Sequence, residues 1–372
     1  MHRGVVVALV LSAGCRAVFG LEEPLRAIGD AGSDAAPDAN ELCFGTGPVV
    51  CVTALPTGPF DAAGNFDTDT NSKCVAPPQP GGPEICLLAG TTVRLGDLVI
   101  VGKRPVVFVA TDEIRVMGIV DVSSNSAMSV VGSGANECTS ASGTNVNNQG
   151  SGGAGGSFGS KGGNGGANGN GEPGAVAASV GPVAVLRGGC SGGTGGQGDS
   201  PGGGGSGGSS GGAVALVSRV SILIDEASAV FASGAGGGRA NPLDSQNKGA
   251  GGGGGSGGMI VLEAPAIMMA GVVAANGGGG GGGGDCCSGF PGADGTTAQY
   301  TMAAPGGLNE GGTHGGVGGA GAAGTNGAAN GLAPGSGGNG NGGGGGGGGG
   351  GHGVAIVRGQ LTGTQFSPTP IQ

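Results

Sequence analysis

Apolar positions follow two rhythms from residue 84 onward. PVVFVAT (105–111), GAVALVS (212–218), GMIVLEA (258–264) and GVAIVRG (353–359) are short, nearly continuous apolar runs that begin at glycine or turn residues. EIRVMGIVDVSS (113–124) alternates instead, with Ile114, Val116, Gly118, Val120 and Val122 interleaved among Arg115, Met117, Ile119 and Asp121. A period of two predicts strand and excludes helix. The text also recurs. Residues 113–124 match AIMMAGVVAANG (266–277) at an offset of 153, which sets Ile114 on Ile267 and Gly118 on Gly271. VSILIDEASAVFASG (220–234) fits the same series with three extra residues. The runs start at Val106, Ala213, Met259 and Val354, so the repeats are separated by 107, 46 and 95 residues.

A unit of two short strands cannot bury its apolar face alone, whereas stacked units can. The pattern therefore predicts an all-β fold, a parallel β-helix or β-solenoid over residues 84–372. EICLLAGTTVRLGDLVIVGKRP (84–105) forms its first, more polar coil. The uneven spacing requires long excursions between coils, and these are where the composition becomes extreme. The chain of 372 residues holds 100 glycines, of which 82 fall from residue 150 onward. That total is about four times the usual share.

Glycine recurs on every third position at Gly150, Gly153, Gly156, Gly159, Gly162, Gly165, Gly171 and Gly174, broken only by Asn168, and again from Gly312 to Gly327. Three residues per turn is the period of the polyproline II helix, whose glycine form lets backbones approach closely. Collagen shares the period but needs abundant proline, which these tracts lack. Two readings stay open, packed polyglycine II helices or disordered loops. Gly277–Gly284 and Gly342–Gly351 carry no side chain to select a register, and are the tracts expected to stay disordered.

The amino terminus reads MHRGVVVALVLSAGC, with Arg3 first, an apolar run over Gly4–Leu11, and small residues before Cys15. This is the layout of an export signal over 1–14. The Ser12-Ala13-Gly14-Cys15 junction resembles a bacterial lipobox, although Ser12 stands where that family prefers Leu. The resemblance implies diacylglyceryl attachment at Cys15 and firm anchoring through more than one acyl chain. Arg16 after it resembles lipoproteins sent to the outer membrane. Residues 15–42, with Asp30, Asp34 and Asp38 among Ala, Gly and Pro, read as an acidic solvated tether, and 43–83 as a Cys-containing N-terminal cap.

Eight cysteines remain once Cys15 is set aside: Cys43, Cys51, Cys74, Cys86, Cys138, Cys190, Cys286 and Cys287. An even number in an exported chain predicts disulfides, and Cys43–Cys51 and Cys74–Cys86 are the nearest local pairs. Cys286 and Cys287 are expected to take separate partners, for which Cys138 and Cys190 are available.

Candidate chemistry is sparse. A net charge of -10 with only 14 Lys and Arg excludes a nucleic-acid binder. No apolar stretch is long enough for a transmembrane helix. GxSxG occurs at Ser157, Ser206, Ser209 and Ser256, but glycine abundance produces such matches by chance, and His314 and His352 both lie in glycine tracts. The carboxylate pairs Asp112-Glu113 and Asp225-Glu226, with Arg115 or Arg219 as base, would be the basis of a polysaccharide-cleaving site. Pro265 and Ala266, however, replace the acidic pair in the third repeat. In FDTDTNSKC (66–74), Asp67, Asp69 and Asn71 have the one-three-five oxygen spacing of a calcium loop. Ser72 and Pro78 exclude an EF-hand, leaving a looser calcium turn or an Asx-stabilised turn.

These features together resemble glycine-rich, β-helical bacterial surface lipoproteins, and the glycine tracts resemble polyglycine-helix domains of some receptor kinases and phage adhesins. The resemblance implies a non-catalytic protein, lipid-anchored at the outer membrane or cell surface, without a cofactor. Its role would be in structure, adhesion or envelope matrix, and its partners surface glycans or other envelope proteins. The alternatives are a secreted β-helical polysaccharide lyase or hydrolase and a polyglycine bundle that binds an external surface.

Overall fold

The computed structural model describes residues 42–372 except 47–49, 53, 127–128, 181–182, 199–202, 241–247, 285–291, 293–300, 310–314 and 335–342. The signal, Cys15, the tether through residue 41, Cys286, Cys287 and His314 lie outside the described residues.

β1 (Leu42–Phe44) and β2 (Val50–Val52) make an antiparallel hairpin. β3 (Phe60–Asp67), β4 (Cys86–Gly90) and β5 (Val93–Val101) follow, then β6 (Val106–Ala110), β7 (Glu113–Val116) and β8 (Ile119–Asp121). The short β9 (Cys138–Thr139), β10 (Asn145–Val146), β11 (Gln149–Gly150) and β12 (Cys190–Ser191) precede β13 (Ala213–Ser218), β14 (Ser221–Ile224) and β15 (Ala229–Phe231). β16 (Met259–Met269) with β17 (Val272–Ala274), and β18 (Val354–Thr362) with β19 (Phe366–Ser367), complete the order.

Thirteen strands join in one sheet whose strand pairs are all parallel. Pairing sorts them into three ladders. The first stacks β4, β6, β13 and the opening halves of β16 and β18. The second stacks the opening halves of β3 and β5 with β7, β14 and the closing halves of β16 and β18. The third stacks the closing halves of β3 and β5 with β8, β15, β17 and β19. From β4 onward, each pass of the chain lays one strand on each ladder in turn, the arrangement of a β-solenoid-type all-β fold.

Each ladder sends stacked columns of side chains inward. Leu88, Phe108, Leu216, Leu262 and Val357 stack on the first, Val93, Ile114, Ile222, Ile267 and Leu361 on the second, and Leu98, Val120, Val230, Val273 and Phe366 on the third. They meet in one core cluster. The first ladder is also covered outside, where Val107, Val109, Ala215, Val217 and Val261 pack against Phe44, Phe158 and Leu186. Burial on both faces explains why its strands read as continuous apolar runs. The second ladder leaves Arg94, Arg115 and Met268 exposed on its outer face, hence its alternating text.

The register adjusts the repeat alignment by one residue at its start, because Val106 lies beside Val214 rather than Ala213. The extra residues of the second repeat therefore number two, since Ile222 lies 108 beyond its partner Ile114 and Ala229 lies 110 beyond Ile119. They are absorbed in the turn at 225–228, where Ala227 has a φ of 62°.

The glycine segments leave from the third ladder and return to the first, over 122–212, 232–258 and 275–353. Their backbone bonds repeat every three residues. Gly251, Gly254 and Gly257 donate N–H to Gly345, Gly348 and Gly351; Gly252, Gly255 and Gly258 to Gly238, Ala235 and Ala232; Ala250, Gly253 and Ser256 to Gly196, Gly193 and Cys190. The carbonyls of the same rod receive N–H from segments 153–156, 205–211 and 278–284. A chain with three residues per turn points successive amides 120° apart. Residues 249–258 thus run as a rod enclosed by six others. Residues 344–351 form a second such rod, donating to 278–284, 150–156 and 329–332 and accepting from 251–257, 316–322 and 163–166.

Only glycine fits the close approaches. A Cβ built on Gly254 would meet the carbonyl oxygen of Gly278 at 2.1 Å, and one on Gly348 that of Gly163 at 2.1 Å. Gly277–Gly284, expected to be disordered, is instead buried and held on several sides: Gly278 and Gly281 donate to Gly255 and Gly252, Gly280 and Gly283 to Gly319 and Gly316. Gly343–Gly351 is likewise held. Register in these tracts comes from strands at their ends and from neighbouring rods, not from their own side chains. Asn168, the break in the glycine series, is buried and closes a turn, with its side-chain Oδ1 accepting the N–H groups of Asn170 and Glu172 at 3.0 Å each.

Disulfides join Cys43 to Cys51, Cys74 to Cys86 and Cys138 to Cys190. The first two are the expected local pairs. The third corrects the assignment of Cys138 and Cys190 to Cys286 and Cys287. β9 and β12 pair in parallel with Cys138 opposite Cys190, which sets their Cα atoms 4.4 Å apart.

Candidate functional site

Of the calcium-spaced residues, Asp67 closes β3 and Asp69 and Asn71 lie in the turn after it, and each has one side-chain oxygen paired within the protein. Asp67 Oδ1 accepts the N–H of Asp69 at 2.8 Å, and Asn71 Oδ1 that of Lys73 at 2.9 Å. Asp69 Oδ1 accepts the Lys103 N–H at 3.0 Å and lies 3.9 Å from Arg104 Nε. Arg104 in turn reaches the Thr68 carbonyl. The Asx-type bonds of Asp67 and Asn71 hold the turn itself, and the contacts of Asp69 and Arg104 fasten it to the turn after β5, which lies directly above it in the stack. Among the described residues, no group of three or more His, Cys, Asp and Glu is placed to hold a metal ion.

The carboxylate pairs fall at different corners, with Glu113 opening β7. Asp112 precedes β7, while Asp225 and Glu226 follow β14. Glu113, Ser221 and Ala266 share one column, so no acidic ladder forms. Arg115 Nε bonds both carboxylate oxygens of Asp225, at 3.0 and 3.2 Å. Arg219 lies 4.4 Å over the Phe44 ring. Glu263 approaches Arg358 at 3.6 Å and accepts the Thr46 N–H at 2.7 Å. Arg219, Phe44, Thr46, Glu263 and Arg358 together clamp the β1–β2 hairpin to the corner between the first and second ladders.

Two pairings were invisible in the sequence. Ser160 and His352, 192 residues apart, meet in the glycine region. Ser160 Oγ accepts the His352 N–H at 2.8 Å and lies 3.3 Å from its Nδ1. Burial lowers the imidazole pKa, opposed by the Ala323 carbonyl, so the ring is neutral at pH 7. Among the described residues no carboxylate pairs with the ring; the hydroxyl accepts the backbone N–H and keeps its own hydrogen within reach of Nδ1, and the pair ties two distant segments of the glycine region together. Three of the four GxSxG serines are engaged: Ser157 Oγ accepts the Gly162 N–H, Ser256 Oγ the Cys190 N–H, and Ser209 Oγ the side-chain N–H of Asn136.

The second pairing lies beside the Cys138–Cys190 bridge. Burial raises the Glu137 pKa against the pull of Arg187, and lowers that of Arg187 against the pull of Glu137. The Arg187 guanidinium stacks 4.6 Å over Phe158, with Nη1 3.4 Å from Cys138 Sγ. Gly82, Pro83 and Val185 complete a small open hollow here. No local spacing signals this group, because Glu137 and Arg187 come from opposite ends of a long glycine-rich excursion.

Among the described residues no helix is long and apolar enough to cross a membrane. No protein-family model, curated protein or solved structure matches the chain.

Proposed function

We propose that the protein is a non-catalytic surface lipoprotein with a structural, adhesive or envelope-matrix role, exported and held by lipid on Cys15. The observation that carries this reading is the glycine lattice, read here as a polyglycine II bundle grafted onto a β-solenoid. Its amides and carbonyls are spent on one another: Ala250 to Gly258 all donate to neighbouring rods. The chemically capable side chains, Arg115, Arg219, Ser160 and His352, bind internal partners. Such a body is stiff without a large side-chain core, which suits a scaffold at a surface. Three disulfides favour an oxidising compartment, and the lipobox-like junction supplies the anchor.

Expression in a Gram-negative host with labelled palmitate tests the reading. Label that disappears in Cys15→Ala, together with cleavage of the body by protease on intact cells, is the expected result. Label without cleavage moves the protein to an inward-facing envelope role. Absence of label removes the anchor and the proposal with it.

A further inference from the structure

Beyond that reading, the lattice has an unfinished column beside rod 204–212. The chain leaving β8 begins it: Val122 donates its N–H to Phe231, Ser124 to Ser233, and the Val122 carbonyl receives the N–H of Gly212. Residues 122–124 therefore lie between rod 204–212 and rod 231–239, in the place a further rod would take. The chain then turns away, with Asn125 and Val130 bonded to each other. Above that turn the column continues as an open trough of 740 Å³, walled by Gly204–Ser209 on one side and Ala235–Arg239 on the other, and floored by Asn125, Val130 and Val131.

The wall of the trough carries unused backbone groups. In rod 204–211, Gly205, Gly208 and Gly211 donate inward to Ala250, Gly253 and Ser256, and the Ser206 and Ser209 carbonyls accept from Gly238 and Ala235. Among the described residues, the N–H groups of Ser206, Gly207 and Ser209 and the carbonyls of Gly204 and Gly207 have no partner. The enclosed rods have none of this: every N–H from Ala250 to Gly258 is bonded. Ser206 and Arg239 are exposed at the mouth.

We infer that the trough binds an extended glycine-rich peptide of a partner protein, seated as one more rod of the lattice. The residues that start the column show the occupant's chemistry, a backbone that donates N–H to one wall and accepts N–H from the other. At about 3.1 Å per residue, the six residues 204–209 offer roughly 18 Å of wall, enough for two turns of a threefold chain. Side chains on every residue would strike the walls, so a Gly-Gly-X repeat with X directed to solvent is the sequence selected. A peptide without amide hydrogens would leave the Gly204 and Gly207 carbonyls unpaired.

The test uses the ¹⁵N-labelled chain carrying Cys15→Ser, titrated to millimolar concentration with (Gly-Gly-Ser)₄, (Ala-Ala-Ser)₄, an all-proline peptide of equal length, and oligogalacturonate. Saturable amide shifts confined to Ser206, Gly207, Ser209 and Arg239, given by the Gly-Gly-Ser peptide alone, are expected. Ser206→Trp, which fills the trough from an exposed position, then weakens binding by at least about tenfold. Val131→Arg serves as a second block should the first variant not fold. No shift, shifts elsewhere, equal shifts with the alanine peptide, or saturation by the oligosaccharide would overturn the assignment.

Discussion

The solenoid and the glycine lattice are built from one chain by opposite means. In the solenoid, backbone groups pair with strands above and below, and side chains fill the interior as columns such as Ile114, Ile222 and Ile267. In the lattice, backbone groups of an enclosed rod pair with six neighbours, and the space a side chain would need is already taken by a neighbour's carbonyl. The solenoid is therefore damaged by losing atoms and the lattice by gaining them. Hydrophobic burial supports the first. The second rests on satisfied amides, for each of which an unpaired buried group would cost about 1–3 kcal/mol, and on its attachment at both ends to strands.

The sharpest break in this comparison is a single methyl group added to the enclosed rod. Gly254→Ala should cost about 4 kcal/mol or more, since the rod cannot shift on any of its six sides. Gly327→Ala, with nothing within 4 Å of its Cβ, should leave the melting temperature unchanged. Equal tolerance at both positions would mean the lattice is loose. Removing the Cys138–Cys190 bridge, which spans 52 residues, by Cys138→Ser with Cys190→Ser should cost about 4 kcal/mol in denaturant unfolding. That loss should appear as faster amide exchange in the lattice while the solenoid amides stay protected.

Ile222→Ala, the complementary deletion in the solenoid, is expected to cost about 3 kcal/mol. Gain and loss would then have comparable effects in the two halves. The smallest effect is on pH. His352 has a pKa held below its ordinary value by burial, so the unfolded chain takes up its proton at a higher pH than the folded one. Its contribution to stability is complete above about pH 6.5 and declines as pH falls below that. His352→Gln should flatten the part of the melting-temperature slope between pH 7.5 and 5.5 that comes from this residue.

Much of the solenoid was legible because apolar residues report burial directly. Alternation at 113–122 marked a strand, whereas only the structure showed that the uninterrupted PVVFVAT is a strand covered on both faces. The one-residue error at Val106 arose because continuous apolar runs do not mark which residue faces in. The glycine period could be read, but not whether it was packed, since a glycine tract carries no signal to separate a rod from a loop. The site residues were less legible still. The Asx bonds of Asp67 and Asn71 were among the local alternatives, whereas Asp69–Lys103, Ser160–His352 and Glu137–Arg187 join positions that no local spacing connects.

By itself the sequence determined what each segment can be: strand where apolar and polar positions alternate, threefold rod where glycine recurs every third residue, covalent tie where cysteines lie close. Those properties depend on φ/ψ preference and side-chain periodicity, which are local. Tertiary structure decided which rod lies beside which, that Cys138 would meet Cys190, and that tracts without side chains would hold one register. A glycine rod presents the same groups to every neighbour. Only the strands fixing its ends, and the rods already in place, can choose among its otherwise equivalent positions.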